Sequence, residues 1–89
     1  MIQVFIIDDH PMVVEGIKAL LAQSEEVAIC CAAHDANSSL EMLKTIPAEV
    51  ALVDINLPDM NGIDLCLALR KAFPKLKILG LSTFKERSY

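Results

Sequence analysis

Hydrophobic residues fall into two kinds of segment that alternate along the chain. Gln3 to Ile7 is a short, β-rich apolar run halted by Asp8-Asp9, the pattern of a strand buried on both faces. Pro11 suits the first turn of a helix, where its missing N–H is not needed. Val13, Val14, Ile17, Leu20 and Leu21 then recur at helical spacing and form one apolar stripe that fades at Gln23-Ser24. Val27 to Ala33 is a second strand-like run. Asp35 to Ser39 supplies helix-capping chemistry, with Ser38 and Glu41 spaced as a capping box. Leu40, Leu43 and Ile46 make a short stripe ended by Pro47. Val50 to Val53 is a third strand, closed by Asp54. The turn-forming stretch Asn56 to Gly62 leads into a helix with Leu65, Leu69, Ala72 and Phe73 on one face, stopped at Pro74. Lys77 to Leu81 is a fourth strand, followed by Ser82 and a polar tail.

Strands alternating with helices of this length predict parallel pairing, right-handed crossovers and helices on both faces of one sheet. The predicted fold is therefore an open three-layer α/β domain occupying residues 1–89.

Composition narrows what such a domain does. The 89 residues carry a net charge of −4, which argues against direct nucleic-acid contact by this chain. The longest unbroken apolar run, Val27 to Ala33, is far short of the roughly 20 residues that cross a bilayer. The start lacks a basic segment and meets two aspartates early, unlike a secretory signal. A cytoplasmic location is expected. Cys30, Cys31 and Cys66 are odd in number and set in apolar runs, so they read as small buried hydrophobes rather than as disulfide or zinc ligands.

In an open α/β sheet, ligands bind at the carboxyl ends of the strands near the point where strand order reverses. Asp8 and Asp9 follow the first strand, Asp54 the third and Ser82 the fourth. A lone aspartate after a strand is usually a cap or a loop former, which is the reading for Asp59 and Asp64. Three carboxylates at one sheet edge repel unless a cation neutralises them, and a hard divalent ion such as Mg²⁺ is the natural one. An acidic metal pocket beside a hydroxyl favours phosphoryl chemistry. His10 reads as a partly buried residue bonding near the helix start and stays outside the ligand set, because Mg²⁺ prefers oxygen. His34 reads as a surface or loop residue.

Three motifs carry a family resemblance: Phe5 to Pro11 with its Asp-Asp-His-Pro ending, Leu52 to Gly62, and Ile78 to Ser82. In order and spacing they resemble the receiver domain of bacterial two-component response regulators, of the NarL/LuxR-type branch. The resemblance implies a flavodoxin-like fold with strand order 2-1-3-4. It implies that Asp54 accepts a phosphoryl group from a sensor histidine kinase or a small acyl phosphate. Mg²⁺ would be held by Asp9 and Asp54, by Asp8 mainly through water, and by the backbone carbonyl of Asn56. Ser82 would supply the hydroxyl that turns toward the modified Asp54. The result is a self-directed reaction with no turnover of an external substrate, regulating transcription in a full-length protein.

The same family runs to about five strand-helix units, so the resemblance implies that the fourth helix, fifth strand and fifth helix are absent here. The family's lysine after the fifth strand has no counterpart, and Lys85 reads as a solvated loop residue. The expectations that follow are impaired switching and a homo-oligomer formed through an exposed edge or apolar faces. Two other readings compete. A haloacid-dehalogenase-like phosphatase needs an acid two residues after its nucleophile, where this chain has Asn56, and an amide is no general acid. A vestigial oligomerisation module predicts neither Mg²⁺ binding nor phosphorylation.

Overall fold

The alternating pattern becomes four strands and three helices. The computed structural model describes residues 1–81, arranged as β1 (Ile2–Ile7), α1 (Pro11–Leu21), β2 (Val27–Ala33), α2 (Ala36–Leu43), β3 (Val50–Asp54), α3 (Gly62–Ala72) and β4 (Lys77–Leu81). All strand pairs are parallel, in the order β2-β1-β3-β4. The predicted three-layer α/β architecture and the order 2-1-3-4 are both found.

Side chains alternate across a strand, and β1 shows why its sequence is apolar throughout. Val4 to Ile7 are all buried, with Phe5, Ile6 and Ile7 fully enclosed. Phe5 and Ile7 join Ala51 and Val53 of β3 in a core with Ala36 and Leu43 of α2 and Leu65 and Leu69 of α3. Val4 and Ile6 fall outside that cluster, as does the buried Val14 of α1. A strand enclosed on both faces cannot alternate apolar with polar residues.

Three details differ from the sequence reading. Leu20, expected in the α1 stripe, is 75% exposed, and Ala72 on α3 is exposed as well. Each lies in the last turns of its helix, where only the residues nearest the sheet find cover. The capping box also does not form. Asp35 is the N-cap of α2, its carboxylate accepting the Ser38 N–H at 2.7 Å, and Ser38 lies inside the helix. Asp35 sits one turn earlier than the serine and, as a carboxylate, also suits the positive end of the helix.

The three cysteines are free thiols, but each is half-buried rather than the buried hydrophobe expected. The β1–β2 register slips between Val4 and Phe5, so Cys30 is the additional residue of a bulge, and its Sγ donates to the Val4 carbonyl at 3.4 Å. Burial pushes the Cys30 and Cys66 thiols up, away from the reactive thiolate. Among the described residues, no helix is long and apolar enough to cross a membrane.

Candidate functional site

Register places the acids. Ile7 lies opposite Ala33 on one side and Val53 on the other, so Asp8 and Asp54 emerge side by side at the carboxyl edge, where the chain order reverses between β1 and β3. Asp8 is tied there by its N–H, which donates to the Ala33 carbonyl at 3.0 Å. Asp54 is the final residue of β3, opposite Leu81 of β4. Both aspartates are fully buried, whereas Asp9 and His10 are each 28% exposed.

Ligand-capable atoms of Asp8, Asp9, His10 and Asp54 all lie within 4.8 Å of one another. Asp8 Oδ1 accepts the His10 backbone N–H at 2.8 Å and lies 2.7 Å from His10 Nδ1. Asp8 Oδ2 is buried and has no hydrogen-bond partner among the described residues. The two oxygens of Asp54 have separate surroundings. Oδ1 accepts the Asn56 N–H at 2.9 Å, and Oδ2 lies 3.4 Å from His10 Nδ1. A buried carboxylate oxygen left without a donor is costly. That orphan, within an oxygen-rich donor set, fits a hard divalent cation.

The loop from Asn56 to Asn61 frames this pocket. Its ends meet in an antiparallel bridge between Asn56 and Asn61, and the Gly62 N–H closes onto the Ile55 carbonyl at 3.0 Å. Asn61 caps α3 through the Ile63 N–H at 2.7 Å. Asp59 does more than form a turn. Its carboxylate reaches across to the start of α2, accepting the Ala36 N–H at 2.9 Å and the Asn37 N–H at 3.1 Å.

These bonds, the Ala36 N–H first and Asn37 after it, hold the Asp59 carboxyl below the usual carboxylate range. A lowered folded value means that the bonds stabilise the domain above the ordinary carboxyl pKa and are lost as pH falls through the lowered one. Urea melts of wild type and Asp59→Ala are therefore expected to show a stability gap that is constant above about pH 5 and narrows below about pH 4. A gap of equal size at pH 3 and pH 7 contradicts this role for the charge.

Of the residues expected at the site, Asp8, Asp9 and Asp54 come together and Asn56 lies beside them. The expectations for Ser82 and Lys85 lie outside the described residues. His10 is partly buried and bonds to Asp8 at the start of α1, as expected. The signal for this is its position, directly after two acids and before a proline that fixes the backbone at the helix start. A surface cleft of about 640 Å³ opens at the opposite sheet edge beside Ile46, Phe73 and Leu76, away from the acidic cluster.

Comparison with known proteins agrees with this geometry. The family model for the response regulator receiver domain matches residues 4–89. The transcriptional regulatory protein DegU of Brevibacillus brevis is 35% identical over 99% of this chain and 37% of its own length. The DNA-binding transcriptional activator DevR/DosR of Mycobacterium tuberculosis is 37% identical over 94% of this chain and 39% of its own. The chain thus spans about two-fifths of the curated relatives it matches. Among solved structures, the non-phosphorylated receiver domain of the stress response regulator RcsB from Escherichia coli superposes with a TM-score of 0.86. It is 34% identical over 93% of this chain and 65% of that one. The RcsB response regulator of Salmonella typhimurium gives a TM-score of 0.87 at 32% identity, over 91% of this chain and 42% of that one. With its flavodoxin-like sheet and its acids at the switch point, the chain belongs to the response regulator receiver domain family of two-component systems.

Proposed function

We propose that this chain is the phosphoacceptor of a two-component relay, modified on Asp54. The observation that carries the reading is the setting of Asp54. It is fully buried, pinned through Oδ1 by the Asn56 N–H, and turned through Oδ2 toward the Asp8, Asp9 and His10 cluster. In the proposed step a carboxylate oxygen of Asp54 attacks phosphorus on the phosphohistidine of a sensor histidine kinase or on a small acyl phosphate. An O–P bond forms, the bond to the imidazole or acyl group breaks, and that group departs with the electron pair. Mg²⁺ held by this pocket would offset the charge on the transferring group. Asp9 and Asp54 would hold it directly, Asp8 would act mainly through water, and the Asn56 carbonyl would complete the protein's share. Ser82 is assigned the hydroxyl that meets the phosphoryl oxygens afterwards.

On this reading the chain carries a signal and turns over no external substrate. It resides in the cytoplasm and serves transcriptional regulation within a longer protein, as the names of DegU and DevR/DosR suggest for those relatives. Its charge of −4 supports leaving DNA contact to other segments. Exposed Ile63, Leu67 and Leu79 support self-association through apolar faces.

Intact-mass measurement after incubation with Mg²⁺ and acetyl phosphate tests the central point. Wild type is expected to gain one phosphoryl group and Asp54→Asn none. No gain in wild type favours the vestigial module, and an equal gain in both moves the acceptor elsewhere.

A further inference from the structure

We propose that Cys30 and Cys31 form a vicinal dithiol on the outer strand of the sheet, a binding site for trivalent arsenic.

The register of β2 makes the pair. Adjacent side chains of a regular strand point to opposite faces, so neighbouring cysteines do not ordinarily meet one ligand. Here Ile29 lies opposite Val4 and Cys31 opposite Phe5, with Cys30 as the additional residue between them. Val4 and Phe5 face opposite sides of the sheet, so Ile29 and Cys31 do too, although they stand two positions apart. Cys30 must share a face with one of them. It packs against the core cluster that holds Phe5, as Cys31 does, so the two thiols lie on the same face. The order β2-β1-β3-β4 leaves β2 at the sheet edge, and both cysteines are half-buried, within reach of a small solute.

The chemistry of the pair selects the ligand. Both thiols donate to backbone carbonyls, Cys30 to Val4 at 3.4 Å and Cys31 to Ala32 at 3.9 Å, so each is held in its protonated form. Burial first, and the charge of Cys31 after it, disfavour the Cys30 thiolate further. Zinc needs thiolates and four ligands. Among the described residues, the acidic cluster is the only grouping of three or more ligand side chains, so nothing completes a tetrahedron at Cys30 and Cys31. Arsenous acid accepts protonated thiols. Two As–O bonds break and two As–S bonds form. The displaced hydroxyls leave as two waters, taking the thiol protons, and arsenic stays trivalent. The product is neutral, which suits an apolar, half-buried setting. Sulfurs from adjacent residues on one face subtend a narrow angle, as pyramidal arsenic requires and a linear two-coordinate ion does not.

Intact-mass measurement with phenylarsine oxide, and affinity measurement with arsenite, test the site. Wild type and Cys66→Ser are each expected to take one phenylarsenic group with loss of one water, held against excess monothiol and released by a dithiol. Cys30→Ser and Cys31→Ser each keep one thiol of the pair and are expected to bind arsenite about a hundredfold more weakly, because two linked thiols act as one chelate. Circular dichroism of the wild-type adduct should match that of the free protein. Loss of the adduct in Cys66→Ser, or unchanged arsenite affinity in either single variant of the pair, overturns the proposal. So does a wild type that takes no adduct, or takes one only as its circular dichroism signal is lost, whatever the folding of the variants.

Discussion

Gly62→Ala is expected to lower stability by about 3 kcal/mol, the upper end of what overpacking usually costs. No glycine in the described residues has positive φ, so backbone conformation is not the reason. The reason is close approach. A Cβ at Gly62 would stand 2.7 Å from the Asp54 carbonyl oxygen, 2.8 Å from the Ile55 carbonyl carbon and closer still to Ile55 Cα. All three are backbone atoms, and none can rotate aside. Relief requires α3 to move away from the end of β3, which strains the Gly62 N–H bond to Ile55 and the loop that carries the Asn56 N–H to Asp54. The melting temperature should fall on the order of 15 °C, and acyl-phosphate labelling of Asp54 should fall with it. Gly16→Ala is the matched control. Nothing lies within 4 Å of its added Cβ and the position is an exposed helix interior, so a gain of about 0.5–1 kcal/mol is expected. Equal melting temperatures for the two variants would falsify the close-approach argument.

Asp8→Asn should act in the opposite sense on the ion-free protein. Two like charges about 5 Å apart repel by roughly 3 kcal/mol at an effective dielectric near 20, and Asp8 shares its 4.8 Å cluster with two other aspartates. The amide retains an oxygen to accept the His10 N–H while removing one charge from a fully buried position. A net gain of about 2 kcal/mol, or on the order of 10 °C in melting temperature, is expected in chelator. Added Mg²⁺ should reverse the ranking, because an ion that binds only the native form stabilises it by mass action. Wild type should gain stability with Mg²⁺ and Asp8→Asn should gain far less. A wild type indifferent to Mg²⁺ together with a variant less stable in chelator would contradict both halves of the argument.

The strands were legible because a buried parallel sheet needs unbroken apolar runs, and β2 and β4 occur at the expected bounds. The edge position of Asp8, Asp9 and Asp54 was legible for the same reason, since each follows or ends such a run. The reading missed what depends on neighbours distant in sequence. Helical spacing alone put Leu20 and Ala72 on the buried face, but only the packed structure shows which part of each stripe the sheet covers. Local spacing likewise favoured Ser38 as a cap. Asp35 takes that place, and Asp59 adds a second carboxylate from 23 residues away in the chain. His10 was legible too, since it is partly buried and bonds to Asp8 at the start of α1, where its place before Pro11 puts it.

The Asp59 bridge gives the loop behind Asp54 a remote reporter. Amide protons of Ala36 and Asn37 belong to another helix, yet their protection from solvent exchange depends on a carboxylate carried by that loop. Any displacement of the loop on modification must release or drag these two amides. Exchange measured at the start of α2 therefore reports on the position of the loop that follows β3, without a probe being placed in the pocket itself.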